Sequence, residues 1–182
     1  MTKAKSNVMT DFVAPIAVLV IICVVMSALL ALTNKATAPI IEEAERRANE
    51  EARLEVLPDA DSFEKVEAAG LPDAVREVYQ AANGAGYTFS LTTTGYGGKN
   101  TLKMTIGIDG AGKLTGVKVL SHKETPGLGS KVTTEESFYG QFPGLDAAGA
   151  AAADTISGAT FSSNYYKAAI ADAFTAFEQV KG

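Results

Sequence analysis

The sequence predicts an α+β protein in which a single N-terminal transmembrane helix precedes a compact domain, and helices pack on an antiparallel sheet in that domain. Three observations predict this class: an uncharged apolar run over residues 12–32, β-favouring runs within residues 87–120, and a helical apolar stripe over residues 166–180. The chain of 182 residues has room for one domain of about 100–150 residues beside an anchor.

The apolar run from Phe12 to Leu32 is rich in Val, Ile, Leu and Ala. A helix of about 20 such residues spans the hydrocarbon core of a bilayer. A cleavable signal peptide is the competing interpretation, but its apolar region is usually about 7–15 residues long. Thr33-Asn34-Lys35 also offers no small-x-small cleavage site. We therefore predict a membrane anchor over 12–32, preceded by a short segment, 1–11.

The charges that flank the anchor do not fix its orientation. Lys3 and Lys5 lie before it, whereas Lys35, Arg46 and Arg47 lie beyond it. Acidic residues contribute little to the positive-inside rule, so the nearby glutamates do not change this count.

Residues 33–58 are predicted to form a charged connecting stalk. Pro39 stands where a helix can begin, a narrow Ala-rich face follows at helical spacing, and Pro58 stops the pattern. We interpret the stalk as a solvated helix. The next region, from Asp59 to Ala85, is polar and rich in turn residues, and it is expected to frame the mouth of the domain that occupies 59–182.

Three strands and one long helix are predicted in the domain. The strands cover Tyr87–Thr94, Leu102–Ile108 and Leu114–Leu120, and the last two form a hairpin around the turn 109–112. The helix is expected to begin after an N-cap at Ser162 or Ser163. Its apolar stripe, which should pack on the sheet, consists of Tyr166, Ile170, Phe174, Phe177 and Val180.

Composition excludes several classes of function. The net charge of −5 comes with no basic stripe, which argues against a nucleic-acid partner. Cys23 is the only cysteine and lies within the apolar run. Disulfides, thiolate zinc sites and self-contained iron–sulfur clusters each need at least two cysteines, so we predict no metal site and expect any redox chemistry to come from a cofactor.

The segment Asp154-Thr155-Ile156-Ser157-Gly158-Ala159-Thr160 stands immediately before the long helix. The hydroxyl of Thr160 can supply an ester oxygen, and Gly158 permits close approach of another molecule. A helix N-terminus favours a phosphate through its N–H groups and dipole. No histidine base lies in the loop, so modification of Thr160 would need an external enzyme. The competing interpretation is an ordinary Ser-Gly turn that caps a helix.

Two other glycine-rich loops are candidates to face the same ligand. One is Gly95-Tyr96-Gly97-Gly98, and the other is the segment 122–129, with the sequence HKETPGLG. Singly, each also fits a simple turn, with a surface Tyr in the first and a buried Leu in the second. The lone His122 is interpreted as a hydrogen-bonded structural residue rather than a base.

Taken together, these segments resemble a known family. The anchor, the stalk, the two loops and the D-x-x-S-G-A-T motif are similar to RnfG, the FMN-binding subunit of Rnf-type ion-translocating ferredoxin:NAD oxidoreductases. A more distant resemblance is to NqrC, a subunit of the sodium-pumping NADH:quinone oxidoreductase. The resemblance covers nearly the whole chain, and the HKETPGLG and D-x-x-S-G-A-T segments are its specific parts.

The resemblance implies a covalent FMN on Thr160, joined by a phosphoester bond that a flavin transferase makes. Ser157, Gly158 and Ala159 would then shape the loop around the phosphate, and Asp154 would belong to the signal that the transferase recognises. The isoalloxazine ring is expected to lie against Glu124, Thr125, Gly127 and Leu128, with Tyr96 nearby.

The implied function is that of an electron-transfer subunit, incomplete as an enzyme by itself, which works with the other membrane and peripheral subunits of an Rnf-type complex. The resemblance also implies a single-pass protein of the inner membrane with its domain on the extracytoplasmic face. Two alternatives stay open. One is a membrane-anchored binding or assembly module without flavin, and the other is a flavinylated domain that serves another extracytoplasmic reductase.

Overall fold

The computed structural model describes residues 12–181 and confirms the predicted fold class. A long apolar helix precedes a five-stranded antiparallel sheet with helices. The elements in chain order are α1 (Ala14–Val56), β1 (Phe63–Val66), β2 (Val75–Ala81), β3 (Gly86–Gly95), β4 (Gly98–Asp109), β5 (Leu114–His122), α2 (Lys131–Thr134), α3 (Glu136–Tyr139), α4 (Ala147–Ala152) and α5 (Thr160–Val180). The predicted N-terminal segment 1–11 lies outside the described residues.

Helix α1 continues through Pro39, whereas the sequence predicted that a new helix begins there. That prediction was wrong because proline already has a helical φ, so one proline costs a helix only its missing N–H bond and a clash with the preceding turn. The residues on both sides favour the helix strongly enough to offset this cost. Within the described residues, α1 is the one helix long and apolar enough to cross a membrane, and all of residues 12–32 are exposed.

The described chain divides into two units between Arg46 and Arg47. The first consists of the apolar part of α1, and the second contains the last turns of α1 and the α+β domain. The predicted stalk is only partly solvated, because Ala52, Arg53 and Val56 are buried within the second unit. The Arg53 guanidinium lies 4.0 Å from the centroid of the Tyr79 ring, a cation–π contact that accounts for one buried cation.

The sheet is a meander in which each strand pairs with the next along the chain, in the order β1-β2-β3-β4-β5. The three predicted strands and the β4–β5 hairpin are confirmed. Strands β1 and β2 were missed, because they lie in the region predicted to be irregular. In β2 only Val75, Val78 and Ala81 are buried, and charged residues between them weaken the strand signal.

Helix α5 packs on one face of the sheet, as the apolar stripe predicted. Tyr166, Ile170, Phe174 and Phe177 are buried, whereas Val180 is half-buried. Ala169, Ala173 and Ala176 are also buried, and their small side chains bring the helix close to the sheet. The rest of the core comes from the sheet, including Phe89, Leu91, Met104, Ile106 and Ile108.

The predicted N-cap of α5 was wrong. The helix begins at Thr160 with Ala159 as its N-cap residue, so Ser162 and Ser163 lie buried in its first turn. The Ser163 hydroxyl donates to the Ala159 carbonyl at 3.0 Å and accepts the Ile156 N–H at 3.1 Å. The serines therefore tie the preceding loop to the helix from inside the first turn.

The end of α1 rests on a pair of glycines in the sheet. Gly107 of β4 and Gly116 of β5 face each other in register. A Cβ atom on Gly107 would lie 2.4 Å from the Val56 carbonyl oxygen, and one on Gly116 would lie 3.2 Å from the Val56 Cα. Thr115 adds a hydrogen bond from its hydroxyl to the Val56 carbonyl. The absence of two side chains thus makes room for the last turn of α1.

We expect Gly107→Ala to destabilise the domain by about 1–3 kcal/mol, the usual cost of extra volume at a tightly packed position. The new methyl group would meet backbone rather than a flexible side chain, so the helix end must shift. Chemical denaturation measures the loss. Gly110→Ala is the matched control, because its Cβ would have only one neighbour, the Gly84 carbonyl oxygen at 3.5 Å. Equal stability of the two variants would contradict this account of the glycine pair.

Candidate functional site

Three segments that are distant in sequence enclose a cleft of about 300 Å³ beside Thr160. The first is the β3–β4 loop, the second is the loop after β5, and the third is the start of α5 with the residues before it. The lining residues are Tyr96, Thr125, Leu128, Gly129, Gly158, Ala159, Phe161 and Ser162. The structure therefore brings together both glycine-rich loops and the D-x-x-S-G-A-T motif, as the sequence predicted for a single ligand.

Thr160 is exposed and is the first residue of α5, a helix of 21 residues. The first N–H groups of a helix lack partners within it and carry a partial positive charge, which suits an anion at this position. Gly158 has a φ of +80°, a left-handed conformation that L side chains rarely adopt, and a Cβ there would meet no atom within 4 Å. The loop thus leaves open space beside an accessible hydroxyl.

Backbone contacts hold the D-x-x-S-G-A-T segment in place. The Gln141 side chain accepts the Asp154 N–H at 2.9 Å and donates to the Asp154 carbonyl at 3.3 Å. The Lys167 ammonium donates to the Ala153 carbonyl at 2.6 Å. Because these bonds use only backbone atoms of the segment, the side chains of Asp154 and Ser157 stay exposed.

A second cavity, of about 350 Å³, lies on another side of the motif, between the α2–α3 region and residues 154–157. Its lining is mostly polar and includes the side chains of Lys131 and Glu135, which form an ion pair at 3.0 Å. The motif is therefore accessible from two directions, one facing the cleft and one facing this polar cavity.

The loop after β5 is a tight turn that exposes its leucine. The Leu128 and Ser130 N–H groups both donate to the Thr125 carbonyl, at 3.2 and 3.1 Å, and the Gly127 N–H donates to the Ser130 hydroxyl at 2.9 Å. Gly127 has a φ of +73°. Leu128 is 53% exposed, so the interpretation of this turn as one with a buried leucine was wrong. Its apolar side chain is available to a ligand.

Two exposed aromatic rings complete the rim of the cleft. Tyr96 is 63% exposed and Phe161 is 70% exposed. Sequence reasoning singled out Tyr96 but missed Phe161. The available signal was its helical position: the buried stripe through Ile170 and Tyr166 continues to Ser162, so Phe161 lies beside the stripe rather than on it.

Glu124 lies behind the cleft rather than in its lining. It is only 6% exposed, and it accepts the Tyr96 N–H at 2.8 Å on one oxygen and the Ser162 hydroxyl on the other. A direct contact between Glu124 and a cofactor ring stays a prediction. His122 is exposed, and its Nδ1 accepts the Glu124 N–H at 3.2 Å, which matches the interpretation of this histidine as a structural residue.

Comparison with known proteins gives the class to which this fold and site belong. Residues 95–175 match the FMN-binding domain family, a range that begins at the β3–β4 loop and includes the whole cleft. The chain is therefore an FMN-binding-domain protein preceded by an apolar helix.

Individual relatives specify the family further, and each is the subunit designated G of its complex. The chain is 38% identical over 131 residues to that of the Na⁺-translocating ferredoxin:NAD⁺ oxidoreductase complex of Acetobacterium woodii, covering 64% of this chain and 62% of the relative. It is 36% identical over 137 residues to that of the ion-translocating oxidoreductase complex of Stutzerimonas stutzeri, covering 70% and 59%. The match to the corresponding protein of Methanosarcina acetivorans is 35% identical over 161 residues and covers 81% and 85%.

The chain belongs to the same family as these subunits of ion-translocating oxidoreductase complexes. The alignments span 62% and 59% of the length of the Acetobacterium and Stutzerimonas relatives, and a larger share of the Methanosarcina protein.

Proposed function

We propose that this chain carries FMN esterified through its phosphate to the Thr160 hydroxyl, and that it relays electrons as one member of an Rnf-type ion-translocating ferredoxin:NAD oxidoreductase complex. The observation that carries the proposal is the position of Thr160. Its exposed hydroxyl stands at the N-terminus of a long helix and beside a cleft that three loops enclose.

The phosphate would lie against the start of α5. Backbone N–H groups there attract a dianionic ester, and the helix dipole adds a favourable term of about 0.3–1 kcal/mol at an exposed site. Gly158 leaves the approach to Thr160 open, Ala159 is small and buried, and Ser157 offers an exposed hydroxyl next to them. These residues fit a phosphate without any cationic side chain.

The cleft residues fit a planar ring with an apolar face and polar edges. Leu128 and Phe161 supply apolar area, Thr125 supplies a hydroxyl, and Tyr96 adds an aromatic ring at the rim. The left-handed turn at Gly127 is what presents Leu128 outward. When bound, FMN would supply the capacity to exchange one or two electrons; the protein residues position the ring and limit its contact with water.

Attachment requires a flavin transferase. Thr160 has no histidine beside it to act as a base, since the single histidine of the chain is engaged with the Glu124 N–H. The transferase would supply both a flavin nucleotide and the base that takes the hydroxyl proton. Asp154 is a suitable recognition residue, because its backbone is held by Gln141 while its carboxylate is exposed.

The remaining parts of the proposal concern location and partners. Helix α1 is long and apolar enough to anchor the chain in the inner membrane as a single-pass protein, with the domain on the extracytoplasmic side. The proposed partners are the membrane and peripheral subunits of the complex, as the names of the relatives suggest. Within these 182 residues there is no G-x-G-x-x-G dinucleotide motif, which fits a relay that works between partner subunits.

Peptide mass spectrometry of protein purified from its native membrane tests the proposal. Trypsin releases residues 132–167 as one peptide that contains Thr160 and other hydroxyl residues, so fragmentation must assign the site. We expect the mass of FMN less one water on Thr160. An unmodified peptide from cells with an active transferase would favour an anchored binding module, whereas a modified peptide that copurifies with another reductase would favour the third alternative.

A further inference from the structure

The three walls of the cleft meet at one buried side chain. Glu124 is the acidic residue that the structure buries most fully among residues 12–181, at 6% exposure, and within that range no lysine or arginine forms an ion pair with it. Burying a carboxyl group is costly unless hydrogen bonds satisfy it. The bonds that Glu124 makes are therefore expected to matter to its surroundings.

Each carboxyl oxygen of Glu124 binds a different segment of the cleft. Oε1 accepts the Tyr96 N–H at 2.8 Å and so holds the β3–β4 loop. Oε2 accepts the Ser162 hydroxyl and so holds the first turn of α5. Glu124 itself immediately precedes Thr125, where the third wall begins. One side chain thus joins all three segments.

Two glycines allow this close arrangement. A Cβ on Gly95 would lie 2.4 Å from Glu124 Oε1. A Cβ on Gly129 would lie 2.4 Å from Oε2 and 2.5 Å from the Ser162 hydroxyl oxygen. Both glycines are buried, so the backbone of each loop approaches the carboxyl group to a distance that no other residue type permits.

We propose that Glu124 is a positioning residue for the flavin, acting through the cleft walls and not through contact with the ring. The inference deepens the proposed function and rests on it. The hydrogen bonds from Tyr96 and Ser162 to one rigid group fix the separation between the rim ring at Tyr96 and the helix start that bears Thr160. The tether at Thr160 holds the phosphate end, and the Glu124 clamp keeps the ring end of the cleft in shape.

Glu124→Ala and Glu124→Gln separate positioning from contact. Glutamine can still accept the Tyr96 N–H through its oxygen and can donate its amide to the Ser162 oxygen, so it preserves both bonds without the charge. Alanine removes both bonds. Glu64→Ala is the matched control, since Glu64 is an exposed residue of β1. All variants are produced as the full chain with the transferase present, and mass spectrometry measures Thr160 modification in each.

We expect every variant to carry flavin on Thr160, with the ring released from the cleft only in Glu124→Ala. That variant should show a severalfold rise in iodide quenching of flavin fluorescence, loss of the visible circular dichroism of the flavin, and a reduction potential moved towards that of free FMN. Glu124→Gln and Glu64→Ala should resemble the wild type. If Glu124→Ala does not fold, Ser162→Ala breaks one bond of the two and should give an intermediate effect.

Two outcomes would overturn the positioning role alone. In one, flavinylated Glu124→Ala has wild-type quenching and dichroism; in the other, Glu124→Gln changes the potential as much as alanine does, which would indicate direct contact with the ring. If the wild-type chain itself carries no flavin on Thr160, the proposed function fails and the positioning role fails with it.

Discussion

Thr160→Val should abolish covalent flavin while leaving the domain folded. Valine keeps the shape of threonine but has no oxygen with which to form a phosphoester. The side chain of Thr160 is exposed, so the substitution should change the free energy of unfolding by no more than about 0.5 kcal/mol. Flavin fluorescence of the denatured protein band measures the covalent bond directly, because noncovalent flavin is lost on denaturation.

Two controls make the Thr160 result specific. Thr160→Ser keeps a hydroxyl at the helix start and should retain flavin, and Thr155→Val removes an exposed threonine from the same loop and should leave the flavin in place. Persistent fluorescence in Thr160→Val would move the attachment site to another hydroxyl, such as Ser157. Loss of fluorescence in Thr155→Val as well would indicate that the variants disturb transferase recognition rather than the ester oxygen.

The parts of the fold that the sequence predicted share a strong local periodicity. The hairpin β4–β5 and the stripe of α5 combine regular alternation with clear turn residues, and the structure confirms both. Strands β1 and β2 were missed, because strand β1 has four residues, none of them fully buried, and β2 has only three buried positions. Their pairing depends on β3, a tertiary contact that a local pattern does not reveal.

The candidate site shows the same division. The sequence predicted that two loops and the motif before α5 would share a ligand, and the structure encloses a cleft with all three. It could not predict which members face the ligand. Glu124 and Leu128 are four residues apart in one loop, yet the first is buried between segments and the second is exposed. The tight turn at Gly127 and the bond to Ser162 decide this, and both are visible only after folding.

The position of the motif itself depends on an aromatic cluster beneath it. The rings of Phe138, Phe142 and Tyr166 pack with centroid separations of 5.2 to 5.3 Å and join the α3 region to α5. Burial raises the pKa of the Tyr166 hydroxyl well above its ordinary value, so the ring stays neutral. Gln141, which holds both backbone groups of Asp154, stands next to Phe142 in sequence. The cluster therefore supports the segment that a transferase would have to recognise.

Phe142→Ala is expected to destabilise the domain by about 3–5 kcal/mol, because Phe142 is fully buried and the substitution leaves a cavity between two other rings. For a domain of this size the melting temperature should fall by roughly 10–20 °C. Near-ultraviolet circular dichroism of the full chain in detergent micelles follows the melting of the aromatic cluster. Tyr139→Ala, which removes a ring that is 39% exposed from the adjoining helix, should lower the melting temperature by only a few degrees.

The same variant tests the link between the cluster and the motif. Below its melting temperature, Phe142→Ala should be flavinylated less completely than Tyr139→Ala, because Gln141 would hold Asp154 less firmly. Intact mass measures the modified fraction of each protein after expression at a low temperature. A destabilised Phe142→Ala variant with full modification would show that the transferase orders the loop itself. In that case the Gln141 bonds would serve stability alone, and the recognition signal would reside in the exposed side chains of the motif.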